Sequence, residues 1–269
     1  MKTGHADTPP QAVKDKAVRS IQRAYTADPE RLFAAGIALA SSENAGAKEI
    51  GIYLLPPFYE TATDAVNEQF IRLGDDANWE VREWAASALT YVTSRHFERV
   101  YPRLQRWAEH PSANVRRMVA VASGYAMRDC TEAQCERLLT LLTPLMADTD
   151  KYVSKNLGAF ALGGYALRHC PHVVARWAAT LELSDEQTAS NLAMMLTGAE
   201  ASKQLEVFQR LLTRLVRDDR RRVRCAVEKA LIQLEKRNRS AFDHLLRAWD
   251  ASPDTRELAS LVRALCLDD

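Results

Sequence analysis

Cysteine is scarce in this chain of 269 residues. The five cysteines are an odd number, and no two of them have a Cys-x-x-Cys spacing. That pattern is not typical of a disulfide framework or of a structural zinc module. No apolar segment of the kind found in secretion signals precedes them. We therefore expect reduced, buried thiols in a cytoplasmic protein. The cysteines are Cys130, Cys135, Cys170, Cys225 and Cys266.

Long apolar runs and a strong net charge are also lacking. No stretch approaches the roughly 18 uncharged apolar residues of a membrane-spanning helix, so we expect no membrane span. The formal net charge of +1 excludes a uniformly basic coat for nucleic acid, but it permits a basic stripe balanced by acidic surface elsewhere. With 47% apolar and 26% charged residues, the composition is that of an ordinary folded protein and argues against disorder.

Motifs for cofactors and for common catalytic sites are missing as well. The chain has no glycine-rich phosphate loop and no order of serine, histidine and aspartate that indicates a nucleophilic triad. His169, Cys170 and His172 lie close together, but Pro171 interrupts the helical geometry and no second ligand pair is evident. We expect neither a cofactor nor a metal ion.

What the chain does have is a repeat. A small residue, apolar in most copies, recurs near the predicted start of a helix. The intervals between its copies are 34, 34, 34, 38, 35, 35 and 35 residues. A period between about 20 and 50 residues is typical of a solenoid, in which each repeat buries its apolar face only against its neighbours. Such a protein presents a long concave surface and rarely a deep pocket. The anchor residues are Val13, Ala47, Val81, Val115, Val153, Thr188, Val223 and Leu258.

Each repeat contains two amphipathic helices separated by turn signals. Apolar residues stand three, four and seven positions after the anchor, which is the spacing of a core stripe on a helix. No β-branched alternation predicts a strand. The unit resembles the HEAT repeat, as does the aspartate six residues before an arginine in Asp76–Arg82 and Asp218–Arg224. The anchored helices are clearest in residues 75–89, 110–124, 148–162 and 218–232, and the helices before them in residues 97–108, 135–146, 205–216 and 242–249.

The predicted fold is therefore all-α, a right-handed α-α superhelix of HEAT-like repeats with about seven helix pairs. Residues 1–269 are expected to form a single repeat domain, with an irregular N-terminal cap at residues 1–40 and repeats at residues 41–269. The second helix of each pair is expected to border the concave groove, so its side chains decide the function.

Three charged residues occupy the same place in successive repeats. The position two after the anchor is Glu83, then Arg117, then Lys155. Trp79 lies four residues before Glu83, one helical turn away on the same face. An indole and a carboxylate beside basic residues suit a cationic ligand on a polyanion. The ring face and the carboxylate attract positive charge, while the arginine and lysine bind phosphates.

The segments NWEVREWA (78–85), NVRRMVAVA (114–122) and YVSKNLGAF (152–160) resemble the DNA alkylation repair proteins of the AlkD and AlkC type. Those proteins are HEAT-like bacterial DNA glycosylases that excise cationic alkylated bases. The resemblance implies that Glu83 is the catalytic carboxylate and that Trp79 is its aromatic partner. It also implies contacts to DNA from Arg116, Arg117, Tyr152 and Lys155.

The activity implied by the resemblance is hydrolysis of the N-glycosidic bond of alkylated purines in duplex DNA. An alkylated purine already carries a positive charge, so its departure needs no general acid. A carboxylate that stabilises the cationic sugar and positions water suits this reaction. The chain departs from the family pattern at two places. Ala159 stands where a second groove tryptophan is expected, and Gly163-Gly164 stands where an acidic residue often follows.

Other interpretations of the same residues stay open. Arg221 and Arg222 belong to a basic run on a turn, which is either a solvated loop or a set of phosphate contacts. A HEAT scaffold that binds a protein partner predicts a groove without net positive charge and a closed Glu83–Arg117 salt bridge. A third interpretation is a non-enzymatic binder of branched or damaged DNA. Exposure of Trp79 and Glu83 on a basic concave face would favour DNA over the scaffold.

Overall fold

The computed structural model describes residues 9–267 of the chain, and the side chains of residues 9–264. Every regular element in that part of the chain is a helix, and it contains no β-strand. The predicted all-α class is confirmed. None of the helices that the structure describes is long and apolar enough to cross a membrane. The predicted cytoplasmic location stays a prediction.

The chain divides into two compact units, Met1–Ala122 and Ser123–Asp269. The single repeat domain over residues 1–269 stays a prediction, as does the irregular cap, of which residues 1–8 lie outside the described residues. The helices of the first unit are α1 (Gln11–Ala24), α2 (Pro29–Ala40), α3 (Ala45–Leu54), a 3₁₀ turn (Pro56–Phe58), α4 (Thr63–Gly74), α5 (Trp79–Arg95), α6 (Phe97–Ala108) and α7 (Ala113–Ala126), whose last residues belong to the second unit.

The second unit continues the alternation of paired helices. Its distinctive element is a π-helix at Leu157–Ala166, directly after a short α-helix. The elements in order are α8 (Glu132–Leu142), a 3₁₀ turn (Pro144–Ala147), α9 (Lys151–Asn156), the π-helix, α10 (Leu167–His169), α11 (Pro171–Thr180), α12 (Glu186–Met195), a 3₁₀ turn (Ala201–Lys203), α13 (Leu205–Val216), α14 (Arg221–Arg237), α15 (Arg239–Ala251) and α16 (Arg256–Leu267).

Side-chain caps begin the second helices at the predicted turns. The Asn78 side chain accepts a hydrogen bond of 2.9 Å from the backbone N–H of Glu80 at the start of α5. Asp150 accepts one of 2.8 Å from the backbone N–H of Tyr152 at the start of α9. Each bond satisfies a backbone donor that has no partner inside its own helix. The polar residues of these turns therefore set where the second helices begin.

Arginines after the turns bind backbone carbonyls. Arg82 donates to the carbonyl oxygen of Asp76 at 2.6 Å, and Arg116 donates to carbonyls of its own preceding turn. The Asp76 carboxylate itself pairs with a lysine of α3. In the second unit, Asp218 pairs with Arg220 and not with the arginine six residues after it. Arg82 thus stabilises its turn by binding the main chain. In the second unit, Asp218 stabilises its turn by pairing with Arg220.

The second helices bury the predicted core stripe. On α5, Val81 and Ala85 are fully buried and Trp84 is 9% exposed. The first repeat is an exception, because its predicted anchor Val13 is 54% exposed while the next residue, Lys14, is buried. The register of α1 therefore differs by one residue from the predicted one, and the inward residue, Lys14, forms an ion pair.

Lys14 and Glu49 form a buried ion pair that joins α1 to α3. Lys14 Nζ lies 2.6 Å from Glu49 Oε2 and 5.0 Å from the ring centre of Trp84. Glu49 is fully buried, and its Oε1 has no hydrogen-bond partner in the part of the chain that the structure describes. Burial raises the pKa of Glu49 above its ordinary value, although Lys14 acts in the opposite direction. The charges therefore carry a desolvation cost that their mutual attraction has to offset.

Removal of one member of this pair is expected to destabilise the first unit more than removal of both. Glu49→Ala leaves the Lys14 ammonium buried without its carboxylate, at a cost of about 3–5 kcal/mol. The double change Lys14→Met with Glu49→Leu replaces both charges by apolar groups and is expected to be nearly neutral. Denaturant unfolding of both variants and of the wild type measures the difference. Equal losses in the single and double variants would contradict the role assigned to the pair.

The π-helix Leu157–Ala166 lies directly against α12 because a glycine permits it. A Cβ on Gly163 would overlap the carbonyl oxygen of Met195. Gly164 has more room, since a Cβ there would meet its nearest neighbour, the carbonyl oxygen of Ala159, at 3.8 Å. The glycine pair is predicted to mark a kink or close helix packing, and the structure shows that its first residue marks close packing.

Alanine at the two neighbouring glycines is expected to have opposite effects. Gly163→Ala forces the π-helix away from α12 and is expected to destabilise the protein by about 1–3 kcal/mol. Gly164→Ala has space for its methyl group and is expected to be neutral or to stabilise by up to about 1 kcal/mol, because alanine favours helix more than glycine does. Thermal or denaturant unfolding compares them. Similar stabilities for the two variants would show that α12 does not constrain Gly163.

Candidate functional site

Trp79 and Glu83 lie on one exposed face at the start of α5. Trp79 is the first residue of this helix, directly after the Asn78 cap. Glu83 follows one turn later, about 6 Å further along the helix axis. Trp79 is 52% exposed, and 35% of the Glu83 side chain is exposed. Both side chains reach the surface, as a ligand site at this place requires.

Arg117 of the next repeat holds the Glu83 carboxylate. Its Nη2 donates a hydrogen bond to Glu83 Oε1, which joins α7 to α5. Arg117 is only 2% exposed and offers almost no surface to a phosphate group. In this structure it orients a carboxylate that is partly open to solvent. This closed pair is the arrangement that the scaffold interpretation predicts.

The neighbouring Arg116 also has a structural role. Of the two arginines, Arg117 is the member expected to face the groove, yet Arg116 is the more exposed. Arg116 Nη1 donates to the carbonyl oxygens of His110 at 2.8 Å and Pro111 at 2.9 Å. Arg116 therefore closes the turn before α7. Arg117 turns inward because Glu83 of the preceding repeat is within its reach.

The other predicted DNA contacts belong to the second unit. Lys155 is exposed on α9, and Arg221 and Arg222 are exposed in the first turn of α14. The side chain of Tyr152 is half-buried at the start of α9. Each of the three exposed cations presents charge to solvent, which is the minimum requirement for a phosphate contact.

Two exposed aromatic residues of the first unit were not identified from the sequence. Tyr91 on α5 is 47% exposed, and Tyr53 on α3 is 46% exposed. Tyr53 packs edge-on against Trp84, with ring centres 5.2 Å apart. Tyr91 lies 12 residues after Trp79, about 120° around the helix and about 18 Å along it, so it does not share the site of Trp79. We call Trp79 and Glu83 the α5 face.

His169, Cys170 and His172 lie close together in the sequence but do not share one environment. In the part of the chain that the structure covers, no group of three or more histidine, cysteine, aspartate or glutamate side chains is placed to hold a metal ion. Cys170 is 9% exposed, and its thiol donates to the carbonyl oxygen of Ala166 at 3.3 Å. His169 and His172 are exposed on either side of it. The thiol is thus directed into the protein and not toward a shared site.

Comparison with known proteins agrees with the repeat architecture. Residues 68–163 match the family model of HEAT repeats. This stretch includes both Glu83 and Arg117, and over it the predicted HEAT-like repeats are confirmed. No protein with a curated description matches the sequence.

The chain is also similar to two solved structures of engineered proteins. The first is the crystal structure of an engineered protein, with 16% sequence identity and a TM-score of 0.34. The match covers 78% of this chain and 98% of the engineered protein. The second is a designed armadillo repeat protein in complex with the peptide (KR)4, with 14% sequence identity and a TM-score of 0.30. The match covers 86% of this chain and 98% of the designed protein. Similarity at this level bears on neither activity nor ligand.

Substitution of each tryptophan of α5 by alanine is expected to distinguish an exposed side chain from a core side chain by its effect on stability. Trp79→Ala removes a side chain that is 52% exposed and is expected to change stability by no more than about 0.5 kcal/mol. Trp84→Ala removes a 9% exposed ring that contacts Tyr53 and Lys14, and is expected to cost about 3–5 kcal/mol. Denaturant unfolding of both variants measures the difference. A large loss in Trp79→Ala would mean that its indole belongs to the core and is not open to a ligand.

Proposed function

We propose that this protein binds duplex DNA and hydrolyses the N-glycosidic bond of cationic alkylated purines, with the α5 face as its reaction site. One observation carries the proposal: the exposed indole of Trp79 lies one helical turn from a Glu83 carboxylate that Arg117 anchors. The resemblance of residues 78–85, 114–122 and 152–160 to the DNA alkylation repair proteins of the AlkD and AlkC type supports it.

The residues of the α5 face suit the charge that develops in this reaction. When the C1′–N bond of an alkylated purine breaks, the electron pair leaves with the base, which becomes neutral, and the sugar becomes an oxocarbenium ion. The Glu83 carboxylate stabilises that cation and orients the water that adds to C1′. The proton lost by the water passes to the carboxylate or to solvent. The face of Trp79 attracts the cationic base before it departs.

The proposal assigns the basic residues according to their exposure. Arg117 is a positioning residue, because its guanidinium fixes the orientation of Glu83 and its own surface is covered. Lys155, Arg221 and Arg222 are the proposed phosphate contacts, since they are exposed. Contacts of that kind release counterions from DNA, so binding through them weakens steeply as salt increases.

A second candidate function is a HEAT scaffold that binds a protein partner. The observation in its favour is the closed Glu83–Arg117 pair, in which Arg117 has almost no exposed surface. On this alternative, the α5 face accepts a lysine or arginine side chain of the partner. Aromatic rings and a carboxylate both attract such a cation. The scaffold needs neither DNA binding nor base release.

Release of free purine bases from methylated duplex DNA, measured by chromatography, tests the proposed reaction. We expect release by the wild-type protein and a rate at least ~100-fold lower for Glu83→Gln, which is a loss of about 2.7 kcal/mol of transition-state stabilisation. Glutamine keeps the size of the side chain but removes its charge. Glu68→Gln makes the same change at an exposed carboxylate of α4 and is expected to retain the wild-type rate.

DNA binding, measured separately at increasing salt, distinguishes the alternatives. Binding that weakens with salt but gives no base release contradicts the enzymatic proposal and leaves a non-enzymatic DNA binder. Absence of binding even at low salt contradicts both DNA functions and leaves the protein-binding scaffold. Equal rates for Glu83→Gln and Glu68→Gln would show that release does not depend on the α5 face.

A further inference from the structure

Three aromatic rings of the second unit lie against one another at the π-helix. Tyr125 is in the last turn of α7, and its ring centre lies 5.7 Å from that of Phe160 and 3.9 Å from that of Tyr165. The rings of Phe160 and Tyr165 have centres 5.5 Å apart and planes at 75°. Phe160 is 39% exposed, and the two tyrosines are half-buried. These three residues, which we call the aromatic cluster, therefore reach the surface together.

The π-helix brings the two rings of its own segment to one face. In an α-helix, residues five apart point about 140° away from each other around the axis, so Phe160 and Tyr165 would not share a side. The hydrogen bonds of a π-helix join residues five apart, and the wider turn aligns such residues. The contact between the two rings shows this alignment. Segments of π-helix are frequent at functional sites, which directs attention to this surface.

Small residues stand beside the rings in the chain. Ala159 precedes Phe160 and Gly164 precedes Tyr165, and both small residues are half-buried. A Cβ on Gly164 would meet its nearest neighbour, the carbonyl oxygen of Ala159, at 3.8 Å, so the backbone here is not crowded. A flat group can therefore approach this surface without meeting a large side chain next to either ring in the sequence.

Exposed cations stand before and after the aromatic residues of the π-helix. Lys155 is five residues before Phe160, and Arg168 is three residues after Tyr165. Residues three apart on a helix are neighbours on its surface, so Arg168 lies on the side of Tyr165. The surface thus combines aromatic rings with positive charge, which attracts a polyanion.

The charges around His169, the last residue of α10, have the same sign. Burial lowers the pKa of His169 below its ordinary value, and Arg168 and Arg128 act in the same direction. Asp129 and Glu200 act in the opposite direction but have smaller effects. The end of the π-helix is therefore an environment that disfavours a further positive charge.

We propose that the aromatic cluster is a stacking surface for an unpaired base of single-stranded DNA. Proteins that bind single strands combine aromatic rings, on which bases stack, with cations that follow the phosphates. A paired base already stacks on its neighbours inside a duplex, so the rings are available to a base only where the strand is unpaired. This inference rests on the DNA binding of the proposed function, but it does not require base release at the α5 face.

Photo-crosslinking of a single-stranded oligothymidylate that carries one 5-iodouracil locates the base. Light couples this base to an aromatic side chain on which it is stacked. After digestion with trypsin, we expect the cross-link in residues 156–168, which contain Phe160 and Tyr165, or in residues 118–128, which contain Tyr125. A cross-link confined to residues 73–82, which contain the exposed Trp79, would overturn the proposal.

Substitutions at the most exposed ring measure its contribution to affinity, with fluorescence anisotropy of the labelled oligothymidylate at low salt as the readout. Phe160→Leu keeps an apolar side chain but removes the ring, and we expect binding to weaken at least ~5-fold. Phe160→Tyr keeps a ring and is expected to retain the wild-type affinity. Tyr91→Leu makes a matched change at a ring of the first unit that is 47% exposed, and it is expected to leave binding unchanged.

The outcomes separate this inference from the proposed function. Equal affinities for Phe160→Leu and the wild type, or no binding of the oligothymidylate while methylated duplex DNA is bound, would overturn the stacking surface alone. A cross-link at the aromatic cluster without base release from duplex DNA supports the stacking surface and contradicts the enzymatic proposal. Absence of binding to either DNA contradicts both and leaves the rings to a protein partner. The wild-type cross-link decides the matter even if Phe160→Leu does not fold.

Discussion

Close approach of neighbouring helices is the constraint on which this structure depends. A Cβ on Gly51 of α3 would overlap the backbone of Ala40 in α2, and one on Gly163 would overlap the backbone of Met195. A repeat that buries its apolar face only against its neighbours needs short distances between helices to exclude water. Small residues in the second helices provide those distances. The same closeness brings polar side chains of successive repeats within reach of one another.

Two ion pairs form because of that close spacing. Lys14–Glu49 joins α1 to α3, and Glu83–Arg117 joins α5 to α7, each through residues one or two positions after the anchor. Both pairs contain a buried charge, but Glu49 is fully covered whereas 35% of the Glu83 side chain is exposed. The Lys14–Glu49 pair therefore contributes only to the packing of α1 against α3. The second places an oriented carboxylate at the surface beside an indole, and this difference makes Glu83 the candidate for chemistry.

Features that depend on spacing along the chain could be predicted from the sequence, and features that depend on distances between helices could not. The period and the core stripe of α5 follow from positions three, four and seven after the anchor. The placement of Arg117 one repeat from Glu83 was also predicted, but its direction depends on how closely α5 and α7 approach. The exposed Val13 likewise depends on contacts between helices, because Lys14, and not Val13, faces Glu49 of α3.

The closed Glu83–Arg117 pair also affects the choice between DNA and a cationic protein partner. The two charges cancel, so the pair exerts little long-range attraction on either ligand, and only short-range contact with the carboxylate and with Trp79 remains. Association therefore has to draw on other charges. Lys155, Arg221 and Arg222 are exposed and positive, and charges of this sign attract a polyanion and repel a basic peptide. Under the proposed function, the carboxylate acts only on the cation of the alkylated base or of its sugar, and a fixed group at close range suits that task.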